Sequence, residues 1–176
     1  MDTIETNWYV ITGGPSSGKT TLLEHLKAAG YSIVPEAART LIDREVAAGK
    51  TIQTIRADEI AFQRKILQIK LELEERLSHD ERMFFDRGIP DSIAYYYFYG
   101  DDATDIIKAS LKRRYKRIFF LEQVPFEKDY ARVESPAIAQ RISDLLRAAY
   151  QDLGYEVITI PLRPVAERAA MILKYL

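Results

Sequence analysis

Gly13-Gly14-Pro15-Ser16-Ser17-Gly18-Lys19-Thr20 fits the pattern G-x-x-x-x-G-K-S/T. Residues of these types at this spacing cradle phosphate. Glycines let backbone N–H groups turn inward around phosphate oxygens, and the N-terminus of a following helix adds partial positive charge. A lysine reaches the terminal phosphates as a point charge. On this reading Gly13, Gly14, Pro15, Ser16, Ser17, Gly18, Lys19, Thr20 and Thr21 enclose a nucleotide's phosphates, and the Thr20 hydroxyl meets Mg2+. The competing reading is an ordinary glycine-rich turn.

Other residues able to do chemistry follow short apolar runs. Phe84-Phe85-Asp86 is an apolar run ending in a carboxylate, and in phosphate-loop proteins such a carboxylate holds Mg2+ near the loop hydroxyl. The alternative is a cap for a helix starting near Pro90. Arg87 follows directly, as a cation for a substrate phosphate or hydroxyl, or as a neutraliser of Asp86. Glu36, in Pro35-Glu36-Ala37-Ala38-Arg39, is a candidate to accept or hydrogen-bond an acceptor's proton; otherwise it is an acidic first-turn residue favoured by the helix dipole. Arg39, one turn later, is a candidate grip on substrate. Glu122 to Ser135 is polar and stands where a lid over a γ-phosphate would stand. Arg132, and less strongly Arg141, supply the positive charge that phosphoryl transfer needs. Gln63 is a candidate substrate contact.

These residues need a scaffold. Runs at 8–12, 31–34, 82–86, 117–121 and 156–160 read as strands. Helical spacing fills the intervals: Phe62, Ile66, Ile69, Leu73 and Leu77 in 56–78, Ile138, Ile142, Leu145 and Ala149 in 135–153, and Val165, Ala169 and Ile172 in 164–175. Gly30 and Gly154 mark helix stops. Strands alternating with helices predict a parallel sheet covered on both faces, with right-handed crossovers. Ligands of such sheets bind beyond the carboxyl ends of the strands, which is where Glu36, Asp86, Arg87 and Glu122 fall. The Tyr95-Tyr96-Tyr97-Phe98-Tyr99 run reads mainly as core, with two or three rings able to face one place. The basic run Lys112 to Arg117 reads as a solvated helix end with favourable dipole placement.

The bulk numbers bound the class. The 176 residues fit one domain, 1–176, with a lid at about 123–135. A net charge of −1 argues against a dedicated nucleic-acid or membrane-surface binder. No apolar run approaches the roughly 20 residues needed to cross a bilayer, and Met1 to Thr6 lacks the pattern of a secretory signal. With no cysteine, disulfides, thiolate metal sites and cysteine nucleophiles are excluded, compatible with a cytoplasmic location.

The order of motifs, from Gly13-Gly14 through Gly18-Lys19-Thr20, Glu36-x-x-Arg39, Gln63-Arg64 and Asp86-Arg87 to Asp129-x-x-Arg132, resembles a family of AAA-type predicted ATPases. That family includes the nicotinamide-riboside kinase domain of the bacterial NAD-regulator protein. Gly154-Tyr155-Glu156-Val157-Ile158-Thr159-Ile160-Pro161 is also similar, so the resemblance spans nearly the whole chain. It implies a three-layer P-loop NTPase fold, α/β, like nucleoside and thymidylate kinases, with a five-stranded parallel sheet ordered 2-3-1-4-5 and a small lid. It implies ATP and Mg2+, with GTP open, phosphates and metal at Gly14, Ser17, Gly18, Lys19 and Thr20, Asp86 and Glu36 near magnesium and acceptor, and Arg132 acting from the lid. The bacterial regulator's adenylyltransferase domain is absent, and Gly88-Ile89-Pro90-Asp91 with the aromatic run departs from a riboside kinase, so the acceptor does not carry over. The leading expectation is a small-molecule kinase acting on a nucleoside-like hydroxyl. The alternatives are an ATP or GTP hydrolase or switch acting on a protein or lipid partner, and a nucleotide-binding module without catalysis.

Overall fold

Trp8–Thr12 is buried at every position, as a strand covered on both faces must be. In the computed structural model, which describes residues 3–123 and 135–176, it is β2 and the centre of a sheet. The elements run β1 (Ile4–Glu5), β2 (Trp8–Thr12), α1 (Lys19–Ala28), β3 (Ser32–Val34), α2 (Ala37–Ala47), α3 (Ile52–Ile55), α4 (Glu59–Arg76), β4 (Met83–Asp86), α5 (Pro90–Tyr99), α6 (Thr104–Ser110), β5 (Arg113–Arg114), β6 (Arg117–Leu121), α7 (Pro136–Asp152), β7 (Val157–Ile160) and α8 (Val165–Leu173). The five expected strands pair in parallel in the order β3-β4-β2-β6-β7, which is 2-3-1-4-5 when those five are counted along the chain. Among the described residues no helix is long and apolar enough to cross a membrane.

Alternation along β2 sorts the two apolar layers. Tyr9 and Ile11 face Leu22, Leu23 and Leu26 of α1 and Ala169 and Ile172 of α8. Trp8 and Val10 face the other way, toward Phe85, Ile118, Tyr115 and Tyr150. On that second side Phe120 packs with α5 and α7 through Ile93, Ala94, Ile142 and Leu146. The layering leaves every strand's carboxyl end on one edge of the sheet.

Two expectations need correction or restriction. The basic run is no helix end: α6 stops at Ser110, and Arg113–Arg114 pairs in parallel with Ile4–Glu5 as a second, two-stranded sheet. Two residues per strand leave no periodicity to read. The dipole reasoning applies instead to another helix, because Arg114 donates to the Leu153 and Gly154 carbonyls just past α7 while its guanidinium lies 3.7 Å from the Tyr155 ring centre. The expected lid, with Arg132, falls on 124–134 and so lies outside the described residues, apart from its two edges.

Candidate functional site

The turn from β2 into α1 is built from backbone conformations that suit glycine. Gly13 has φ 146° and Gly18 φ 78°, and Ser16 between them is also left-handed at φ 58°. A Cβ on Gly13 would lie 2.7 Å from the Leu121 carbonyl oxygen, so β6 leaves no space for any other residue. Among the described residues the backbone N–H groups of Gly14 and Ser16 to Thr20 find no acceptor. The buried Ser17 hydroxyl has no partner either. A row of unanswered donors at the start of a helix is an anion cradle. Lys19 projects from it, its ammonium pushed down to about 8 by burial first and by the Arg87 charge second. Thr21, one residue on, is exposed and lines neither cavity described below.

Beside this loop, Thr20, Asp86, Glu36 and Arg39 line a cavity of about 420 Å3. Asp86 ends β4 with its Oδ1 buried and unpartnered. Burial, with the Glu36 charge second, raises its carboxyl to about 6. It caps no helix, and α5 has no side-chain cap; Asp91, in the first turn of α5, instead accepts from the Gly88 N–H of the preceding turn at 2.9 Å. Glu36 precedes α2 in an extended conformation and its side chain caps nothing. It accepts from Arg87 Nε at 3.3 Å instead.

A second cavity, of about 360 Å3, opens on the other side of Glu36 and Arg39. Gln63, Arg87, Lys70, Tyr95 and Tyr99 contribute to its wall. The aromatic run is therefore divided: Tyr96 is core, Tyr97 is exposed, and Tyr95 and Tyr99 face the cavity. Arg87 is buried in a left-handed conformation (φ 69°) and donates to Asp91 Oδ1 at 3.0 Å as well as to Glu36. Its hydrogen bonds thus go to Asp91 and Glu36 rather than to Asp86. Arg39 makes no ion pair among the described residues. Arg141 is exposed over the Phe98 ring and lines neither cavity, and Arg64 pairs with Asp101 at the surface. Among the described residues no cluster of three or more His, Asp or Glu could hold a metal ion by itself.

The AAA domain model matches residues 8–168, most of the chain. The chain belongs to this AAA domain family. No curated protein sequence matches it. Among solved structures, deoxyadenosine kinase from M. mycoides superposes with TM-score 0.63 at 14% identity, over 95% of this chain and 96% of that one. Thymidylate kinase from Ehrlichia chaffeensis gives 0.62 at 16%, over 95% and 96%. The NadR protein in complex with NR gives 0.69 at 15%, over 97% of this chain and 50% of that one, so the AAA domain chain spans about half of NadR. At these identities the likeness establishes the P-loop kinase fold.

Several residues that organise the AAA domain's site had no sequence signal. Asp91 is fully buried and accepts from Thr12, Arg87, the Gly88 N–H and Tyr150. Lys70, buried on α4, donates to the Gly88 carbonyl at 2.8 Å and to Ser92 at 3.1 Å. The Tyr115 hydroxyl accepts from the Ile89 N–H and donates to Glu74, whose carboxyl burial raises to about 7. This network fixes the turn after β4, and with it Asp86 and Arg87. It also fixes Gly88, where a Cβ would lie 2.8 Å from the Tyr115 hydroxyl and 3.0 Å from that of Tyr150. Both rings are fully engaged, so we expect Gly88→Ala to cost about 1–3 kcal/mol in a urea melt. A loss under about 0.5 kcal/mol, the scale of ordinary surface changes, would show that the rings give way freely.

Proposed function

We propose that this chain is a small-molecule kinase that transfers the γ-phosphoryl group of MgATP to a hydroxyl of a nucleoside-like acceptor. The observation that carries the reading is the shared wall: Glu36 and Arg39 line both the cavity containing Thr20 and Asp86 and the cavity containing Gln63, Arg87 and the tyrosines. An acceptor in the second cavity would stand next to phosphate held at the loop. A hydrolase or switch needs the first cavity alone, so a second one lined by rings, an amide and cations favours the kinase.

The parts divide as follows. The loop amides and Lys19 hold the β- and γ-phosphates, and Tyr95 and Tyr99 offer faces for a flat acceptor. Gln63 and Arg39 grip its polar edges. Glu36 hydrogen-bonds the acceptor hydroxyl and takes its proton as the oxygen attacks, while Arg87 keeps Glu36 oriented. Arg132 supplies lid charge. The residues present suit Mg2+: Asp86 offers a buried, unpartnered oxygen and Thr20 a hydroxyl to the same cavity, and Mg2+ commonly binds through one or two side chains plus substrate phosphates. When bound there it would neutralise charge on the transferring phosphates.

The test is the fate of labelled phosphate. The protein is incubated with Mg2+ and γ-labelled ATP or GTP, with and without a panel of nucleosides including nicotinamide riboside. Label on an acceptor is expected. Label only in inorganic phosphate, whatever acceptor is present, would replace the kinase by the hydrolase. With an acceptor identified, Glu36→Gln should lower transfer about 100-fold or more while nucleotide affinity holds. Equal loss of affinity and rate would remove Glu36 from the chemistry.

A further inference from the structure

Arg168 is a buried cation that the proposed chemistry leaves unused. It belongs to α8, yet its guanidinium lies against the phosphate-binding loop, 151 residues away in sequence. The side chain is 4% exposed. Nη2 donates to the Ser17 carbonyl oxygen at 2.8 Å. Nη1 lies 2.8 Å from where a Cβ on Gly18 would stand, which places the guanidinium directly against the loop; the φ of 78° is what calls for glycine there. Nε is buried without any hydrogen-bond partner. Among the described residues no carboxylate pairs with Arg168; Glu122, itself exposed, supplies the one favourable charge, without an ion pair.

A buried guanidinium that finds, among the described residues, neither an ion-pair partner nor a full set of acceptors is costly to keep. Its position says what would offset that cost. In a trans peptide the C=O and the next N–H point in opposite directions. Holding the Ser17 carbonyl on the outside therefore turns the Gly18 N–H toward the inside of the loop. A hydrogen bond to the oxygen also polarises the same amide, making its N–H a stronger donor. The positive charge on the outside, added to Lys19, raises the potential that an anion inside the loop would meet.

We propose that Arg168 is the outer brace of the phosphate-binding loop: it positions and polarises the Ser17–Gly18 peptide for a polyphosphate anion, so that docking of α8 and binding of polyphosphate strengthen one another. This rests on the nucleotide-binding half of the proposed function and on no choice of acceptor. α8 follows β7, packs on α1 through Ala169 and Ile172, and grips the loop that opens α1. The brace thus ties the last helix to the first.

The test titrates the full chain with Mg2+ and a non-hydrolysable ATP analogue, and separately with inorganic tripolyphosphate, alongside melting of each protein without ligand. Arg168→Met should weaken both ligands about 10- to 100-fold, as expected for a charge-assisted contact, with little change in unliganded melting, because the variant also sheds a desolvated charge. Arg168→Lys, which keeps the charge without the fork, should recover part of the affinity. A role confined to folding predicts the reverse: a lower unliganded melting temperature and unchanged affinity per folded molecule. That result overturns the brace. If the methionine variant does not fold, hydrogen exchange in the wild-type protein decides, with slowed exchange across 165–173 on adding tripolyphosphate expected and unchanged exchange contradicting the coupling. Absence of any binding by the wild type would reject the nucleotide reading itself. Normal wild-type binding with an unaltered Arg168→Met affinity rejects the brace alone.

Discussion

Lys19→Ala lowers phosphoryl-transfer turnover by about a thousandfold or more, equivalent to about 4 kcal/mol of transition-state stabilisation. The size follows from the surroundings. Burial already disfavours the Lys19 ammonium, and Arg87 adds repulsion, which together hold it down to about 8. At neutral pH it is still charged and only partly exposed to solvent. Charge building on the transferring phosphoryl group therefore feels it more strongly than it would in open water. Alanine removes that compensation and leaves the loop's glycine geometry alone. Single-turnover transfer of labelled phosphate measures the loss, and turnover within a factor of ten of wild type would end the phosphate-loop mechanism for this chain.

Asp86→Asn should abolish transfer and stabilise the protein. The carboxyl titrates near 3.8 in an unfolded chain and at about 6 in the fold, so the native state binds the extra proton between those values. Stability supplied by the protonated form is complete below about pH 4 and is lost as pH rises through about 6, a penalty of about 3 kcal/mol at neutral pH. Asparagine carries no charge to desolvate. In chelator-treated protein the variant's advantage over wild type should be about 1 kcal/mol at about pH 4.5 and reach up to about 3 kcal/mol at about pH 7.5. Urea melts at the two pH values measure it. A variant no more stable than wild type at the higher pH would mean that Asp86 is better solvated than its buried Oδ1 implies. A gain in stability paired with loss of transfer is the mark of a carboxylate kept for chemistry.

Much of this was legible because it is local. The phosphate loop, the strand before it and the helix after it occupy consecutive residues, and the five strands announce themselves as apolar runs. Asp86 and Glu36 could be picked out because a parallel sheet offers one edge to ligands, and residues just after strands reach it. What escaped depends on approach between distant segments. Lys70 looks like one more polar residue on a helix until α4 is seen over the turn after β4. Asp91 looks like a first-turn acid, yet Thr12 and Tyr150 converge on it from 79 and 59 residues away. Arg168 looks like an exposed cation on an amphipathic tail, and only the return of α8 to the first helix buries it. The hydrogen-bond partners of Arg87 were not legible for a related reason. Its left-handed backbone turns the side chain from its neighbour Asp86 toward Glu36 and Asp91, and no residue type signals that twist at an arginine.

The position of Trp8 gives the protein a built-in optical gauge. It is the one tryptophan in the chain, is wholly shielded from solvent, and donates its indole N–H to the Ser78 carbonyl at 3.0 Å. It begins β2, whereas the phosphate loop follows the end of that strand, so the indole lies about 16 Å from the loop at the usual rise per residue. Its emission should therefore be blue-shifted in the native protein and redden only on loss of the core. Nucleotide, metal and acceptor should leave it nearly unchanged. Fluorescence can then follow unfolding of each variant in the presence of any ligand, without the signal being confounded by occupancy of the site.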